Sequence, residues 1–193
     1  YGVIKKKTKK KNVLKIKIFF FSYIKIFFSI FLSQTLFLIF NSKTKIKRSL
    51  CILDTGLLKN INIEKFDIIH IQWLYNEVIS LDEILNLKKK VVISLHDLWF
   101  CNGTFHYNPE KLNFITNIFE NFLLRRKCEK ILRSKNLVFT TPSIWCKDQF
   151  LNTLKKYNKN NTQLPNVFVI GNVVDFKKNK NLIKKNKFEI IPK

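Results

Sequence analysis

Residues that could bind a sugar or a phosphate cluster between positions 96 and 107. The chain reads His96-Asp97 there, followed by Trp99, Asn102, Gly103, His106 and Tyr107. A histidine can hydrogen-bond a sugar hydroxyl or a phosphoryl oxygen, an adjacent aspartate can fix its orientation, and Trp and Tyr rings can stack on a pyranose. The cluster is therefore compatible with a site that binds a sugar or a phosphate. An alternative stays open, in which His96 and Asp97 cap the following turn while Trp99 and Tyr107 close the core.

The cluster follows an apolar run, and three more such runs place other candidate residues in the same way. The four runs that predict buried strands are Phe66–Trp73, Val91–Leu95, Leu137–Thr141 and Val167–Ile170. Near-continuous apolar runs are typical of a parallel sheet, in which ligands collect at the carboxyl ends of the strands. Trp73, Ser143 and Asn172 lie at or just after the ends of the other three runs and are predicted substrate-binding residues. His70 lies inside the first run and is more typical of a core histidine.

Helical patterns alternate with these runs. Ser80-Leu-Asp-Glu83 predicts a capping box, and Pro142-Ser143 predicts the start of a helix that continues to about Lys156. A longer helix is predicted over Asn113–Arg133, with one apolar stripe formed by Ile115, Ile118, Phe119, Phe122 and Leu123. The alternation predicts an α/β fold: a Rossmann-like parallel sheet with flanking helices, preceded by a basic apolar helix.

Residues 1–48 form a basic and apolar segment that precedes the predicted sheet. Eight lysines occur in residues 1–17, the run Ile18–Phe40 is largely apolar, and a second basic cluster follows at Lys43–Arg48. A run of this length could span a bilayer, but Lys25 interrupts it and both flanks are basic. We therefore favour a helix lying in the headgroup layer of an anionic membrane, and packing in the core stays open as a third reading. The expected location is cytoplasmic, peripheral or anchored at the inner face of the cell membrane.

The net charge of +23 does not by itself indicate a nucleic-acid partner. Lys, Asn, Ile and Phe are abundant, as an AT-rich coding sequence would give by default. The chain begins at Tyr1 and contains no Met, so it reads as a fragment. No zinc finger, RNP-like aromatic motif or base-reading basic helix is found. The four cysteines have no zinc-site spacing, so reduced thiols and no bound metal are expected.

Four motifs in the right order resemble glycosyltransferase family 4, and most closely its bacterial polysaccharide-biosynthesis subgroup, which includes colanic acid glycosyltransferases. They are Asp67-Ile-Ile-His70-Ile-Gln72-Trp73, Ile93-Ser-Leu-His96-Asp97-Leu-Trp99 with Gly103 and His106-Tyr107, Thr141-Pro-Ser-x-Trp145, and Ile170-Gly-Asn-Val-Val-Asp175. The resemblance covers roughly residues 50–176. Gln72 stands where the family often has a histidine, and Gly171-Asn172-Val173 replaces Pro-Asn-Gly.

The resemblance implies a particular activity and domain organisation. Residues 49–176 would be the acceptor-side, amino-terminal half of a GT-B fold, and residues 177–193 a basic linker toward a missing donor-binding domain, so this chain alone is expected to be inactive. A sugar would pass from a nucleotide-diphosphate-sugar co-substrate to a saccharide or lipid-linked acceptor of cell-surface polysaccharide, without metal or cofactor. His96 would contact the donor sugar, Asp97 would orient it, and Trp99, His106 and Tyr107 would form the acceptor wall. The alternative is a non-catalytic, membrane-associated remnant or interaction protein.

Overall fold

A computed structural model of the chain describes residues 20–40, 46–61, 63–72 and 77–171. Its helices are α1 (Phe20–Ile39), α2 (Leu81–Leu85), α3 (Phe114–Arg133) and α4 (Ile144–Tyr157), and its strands are β1 (Ile68–Ile71), β2 (Lys90–Ser94), β3 (Leu137–Thr141) and β4 (Asn166–Val169). Short 3-10 turns lie at Leu58–Asn60, Ile63–Lys65 and Trp99–Cys101. The predicted α/β fold is confirmed. The predictions for residues 1–19, for Trp73 and Asn172, and for the linker 177–193 lie outside the described residues.

The four strands form one parallel sheet in the order β1-β2-β3-β4. Right-handed crossovers between strands in consecutive order place α2, α3 and α4 on the same face. Alternate residues of the inner strands, Val91 and Ile93 of β2 and Leu137 and Phe139 of β3, are buried accordingly. The opposite face is open in the described part of the chain, where Ile68 is 60% exposed. The sheet is therefore covered on one side.

Aromatic side chains fill the core between the sheet and the helices. Phe139 and Phe150 have ring centroids 4.6 Å apart, and Phe100 meets Phe139 edge-on at 5.7 Å. Trp99 contacts Phe100 edge-on at 4.9 Å and is only 2% exposed. Such edge-to-face contacts add to the area that the rings bury. Trp99 therefore closes the core, as the alternative interpretation of the sequence cluster predicts.

The polar residues predicted to begin helices do so. Ser80 and Glu83 form both hydrogen bonds of a capping box at α2. The Asn113 side chain accepts a bond from the Thr116 amide at 2.7 Å, and Ser143 Oγ accepts one from the Cys146 amide at 3.2 Å. These bonds satisfy amides that the first turn of a helix leaves without partners.

The first half of α3 does not direct its apolar stripe at the sheet. Ile115, Ile118 and Phe122 are 65%, 55% and 53% exposed. The side of α3 that packs inward carries Glu120 and Lys127 instead, and both are 6% exposed. Both side chains turn inward and form hydrogen bonds with the loop below: Glu120 with Thr104, and Lys127 with three backbone carbonyls.

Helix α1 buries small polar residues and exposes large apolar ones. Ser22, Ser29 and Ser33 are 6%, 3% and 2% exposed, whereas Phe27 and Leu38 are 73% and 77% exposed. It is the one helix in the described residues that is long and apolar enough to cross a membrane, and only 17% of its apolar window is buried. The large apolar residues of α1 therefore do not join the core of the domain.

Candidate functional site

The carboxyl-terminal edge of the sheet carries exposed residues directly after all four described strands. Gln72 follows β1, His96 comes two residues after β2, Ser143 comes two residues after β3, and Gly171 comes two residues after β4. Neighbouring strands lie about 4.8 Å apart, so these positions form one row. The amino terminus of α4 begins at the same edge, where its free amides favour an anionic group. This edge is the candidate ligand site of a parallel sheet.

His96 is exposed at the end of an inner strand. The ladder between β2 and β3 continues one residue further, because the Leu95 amide donates to the Thr140 carbonyl at 2.8 Å. The backbone next to His96 is therefore fixed while its ring faces solvent. Tyr107, at the other end of the loop, is 57% exposed. The structure thus places His96 and Tyr107 on the surface, where a ligand could reach them.

The other histidine of the loop lies in a buried hydrogen-bonded chain. His106 Nδ1 is 2.7 Å from Asp97 Oδ2, and His106 Nε2 is 2.9 Å from Ser49 Oγ. A carboxylate can only accept, so Nδ1 carries a proton and donates to Asp97, while Nε2 bonds the Ser49 hydroxyl. The order Asp-His-Ser is that of a nucleophilic relay. Ser49 and His106 are each 1% exposed, however, so no substrate reaches the serine and the chain of bonds is structural.

Two sequence predictions are corrected by this arrangement. The contacts of Asp97 orient His106, where the sequence predicted His96, and its Oδ1 accepts a further bond from the Trp99 amide at 2.9 Å. His106 and Trp99 do not form an acceptor wall, because both are buried; the Trp99 indole donates to the Ser49 carbonyl at 2.8 Å. The reason is that the loop pairs with a distant segment of the chain. The His106 amide donates to the Lys47 carbonyl, and this bond holds His106 in the interior.

Asn102 and Gly103, also predicted to bind substrate, hold the loop in place. Asn102 Nδ2 donates to the Phe105 carbonyl and to Asn108 Oδ1, each at 3.3 Å. Gly103 is buried so closely against α3 that an added Cβ would lie 2.8 Å from the Glu120 Cα. The close approach of the two backbones explains the glycine. Ser143, another predicted residue, is exposed at the edge but uses its hydroxyl to cap α4.

Lys127 and Glu120 complete the support of the loop, and neither was predicted from the sequence. Lys127 Nζ donates to the carbonyls of Trp99, Asn102 and Gly103 at 2.6, 2.9 and 3.0 Å. Glu120 accepts from the amide and hydroxyl of Thr104 and pairs with Arg48 at 3.1 Å. Burial lowers the pKa of Lys127 to about 7. Their spacing of seven residues puts both on one side of α3, which is the sequence signal that could have found them.

A cleft of about 270 Å³ opens between α3 and the segments that contain Leu50 and Leu81. Leu50, Leu81 and Phe122 line it together with Arg126, Lys127 and Lys130. Trp99 and Gly103 also contribute to its wall. His96 and Tyr107 do not line it, so the cleft is separate from the candidate edge. Among the described residues, no three His, Cys, Asp or Glu side chains are grouped to hold a metal ion.

Comparisons with known proteins give no identification. No family model, no curated protein and no solved structure matches this chain.

Proposed function

We propose that this chain is the acceptor-side domain of a glycosyltransferase, which transfers a sugar from a nucleotide-diphosphate-sugar donor to a saccharide or lipid-linked acceptor. The observation that supports it best is the position of His96. This residue belongs to the motif that resembles the family, and it is exposed at the end of an inner strand, at the edge where parallel sheets bind ligands. The proposed setting is the inner face of the cell membrane, in cell-surface polysaccharide synthesis.

The roles of the motif residues divide between contact and support. His96 hydrogen-bonds a sugar hydroxyl and Tyr107 offers an exposed ring for stacking. Asp97, His106 and Ser49 fix the loop between them from below. A site held by buried bonds keeps its contact groups in place before the substrate arrives, which is what transition-state stabilisation requires. Asp97 is a positioning residue in this mechanism.

Sugar transfer by the intact protein tests the proposal. Radiolabelled sugar would be followed from nucleotide-diphosphate-sugar donors to acceptors extracted from membranes. His96→Ala should lower transfer by about a hundredfold or more, as expected for loss of a catalytic contact, without changing the thermal midpoint. His70→Ala is the matched control. The prediction of a core position for His70 was wrong: His70 is exposed on the open face of the sheet, where its Nε2 is 2.8 Å from Ser94 Oγ. Full transfer by His96→Ala would refute the assignment.

A second candidate is a non-catalytic, membrane-associated interaction protein. The burial of Trp99 and His106 favours it, because two residues of the family motif serve the fold and not a ligand. It predicts that His96→Ala and His70→Ala behave alike in every saccharide assay while membrane attachment persists.

A further inference from the structure

The exposed side of α1 has the polarity of a surface that faces lipid. In water, a surface helix buries its apolar stripe and exposes its polar residues. Helix α1 does the reverse: three serines pack inward while Phe20, Phe27 and Phe31 are 74%, 73% and 61% exposed. Small polar residues at the packing face and large apolar residues outside are typical of helices in contact with a bilayer.

Contacts along its whole length hold α1 against the domain. Ser22 Oγ lies beside Gly56, and Ser29 Oγ donates to Glu77 Oε2 at 3.4 Å. At the other end, the Phe40 ring stacks on Phe119 of α3 at 4.1 Å, and Arg48 donates to the Phe40 carbonyl at 3.1 Å. A helix attached along one side to a polar domain cannot cross the hydrocarbon core. The arrangement favours a helix that lies in the membrane surface.

The apolar stripe of α3 extends the same surface. Phe119 contacts the end of α1, and Ile115 and Phe122 lie one turn before and one turn after it on that side of the helix. Ile115 and Phe122 are exposed, as is Ile118. These apolar side chains of α3 are therefore accessible to a partner outside the domain.

Basic residues surround this apolar surface. Lys25 on α1 and Arg125 and Arg126 on α3 are exposed, and the Arg126 guanidinium lies 5.5 Å from the Phe122 ring. Residues 1–17, directly before α1, add eight lysines to a chain of net charge +23. This charge opposes association with a second copy of the chain and attracts anionic lipid headgroups.

We infer that α1 and the first half of α3 form a single docking face for an anionic membrane surface, with α1 parallel to the bilayer. The face is defined by the outer side of α1 together with Ile115, Ile118 and Phe122. This face specifies the membrane contact that belongs to the proposed function. Lipid binding by the face does not depend on sugar transfer. If sugar transfer is absent but lipid binding is intact, only the proposed transferase activity is rejected. If sugar transfer is present but lipid binding is absent, only the docking face is rejected.

Cosedimentation with vesicles tests the inference on the full chain. Phosphatidylcholine vesicles with phosphatidylglycerol should bind the protein more tightly than phosphatidylcholine alone, and added salt should weaken the difference. Ile115→Gln should reduce the binding constant about tenfold, since a buried isoleucine contributes about that factor. The position is exposed in the free protein, so circular dichroism should show unchanged folding.

Ile144→Gln is the matched control. Ile144 lies in the first turn of α4, as Ile115 does in α3, and it is 69% exposed compared with 65% for Ile115. Its substitution should leave binding unchanged. The inference is overturned if both variants bind alike, if no vesicle binds the protein, or if sedimentation without lipid shows a dimer that Ile115→Gln dissociates.

Discussion

Replacing each of the three histidines by alanine should separate the buried histidine from the exposed ones. His106→Ala removes a ring that is 1% exposed and bonded at both nitrogens, whereas His96 and His70 are exposed. Loss of the charge-assisted bond to Asp97 costs about 1.5–3 kcal/mol, and a buried Ser49 hydroxyl without a partner costs about 1–3 kcal/mol. The expected loss in free energy of unfolding is therefore about 2.5–6 kcal/mol. His70→Ala should cost about 1 kcal/mol or less, and His96→Ala about 0.5 kcal/mol or less.

Urea unfolding followed by tryptophan fluorescence measures these differences. Trp99 reports on the relevant region directly, because its indole donates to the Ser49 carbonyl in the same network. Equal m-values for the four proteins would show that the changes are in stability. The reasoning is refuted if His106→Ala unfolds within about 1 kcal/mol of the wild type, or if His96→Ala is the less stable of the two.

Two other substitutions test the support of the loop. Gly103→Ala should cost about 3 kcal/mol, because its Cβ overlaps the backbone at Glu120, while Gly171→Ala, with nothing within 4 Å, should be neutral in calorimetry; equal midpoints would contradict the packing. Burial lowers the pKa of Lys127 to about 7 from 10.5, so between these values the unfolded chain holds a proton that the folded chain has lost, and stability should rise with pH. The unfolding free energy of the wild type minus that of Lys127→Met should therefore increase from about pH 7 to about pH 8.5. A difference that stays constant over this range would rule out the titration of Lys127.

Local patterns were sufficient to predict the strands and the helix starts. Val91–Leu95 and Leu137–Thr141 are apolar because their strands lie inside a parallel sheet, and Ser80 and Ser143 stand where helices need a cap. Periodicity did not reveal which side of α3 faces inward. The apolar stripe with Phe122 is exposed, and Lys127 is buried because three carbonyls of a distant loop accept its bonds. Hydrogen bonds to a distant loop cannot be predicted from the periodicity of one helix.

Which of the candidate residues are exposed was predicted in part, for the same reason. His96 and Tyr107 are exposed where the sequence placed a ligand edge, and both stay predicted contact residues. His106 is a histidine like His96 and lies next to Tyr107 in the chain, so nothing in the sequence separates it from them. Its burial depends on Ser49, more than fifty residues earlier in the chain, and on the pairing of the loop with residues 47–49. Nothing near His106 in the sequence signals that contact.

The proposed site depends on His96 contacting the donor sugar while His106 supports the loop beneath it. The chain has three histidines, so their ring proton signals in an NMR titration with nucleotide-diphosphate-sugars can be assigned by substitution. A donor should shift the His96 signals and leave those of His70 and His106 in place. Binding of a donor without movement of the His96 signals would contradict the assignment.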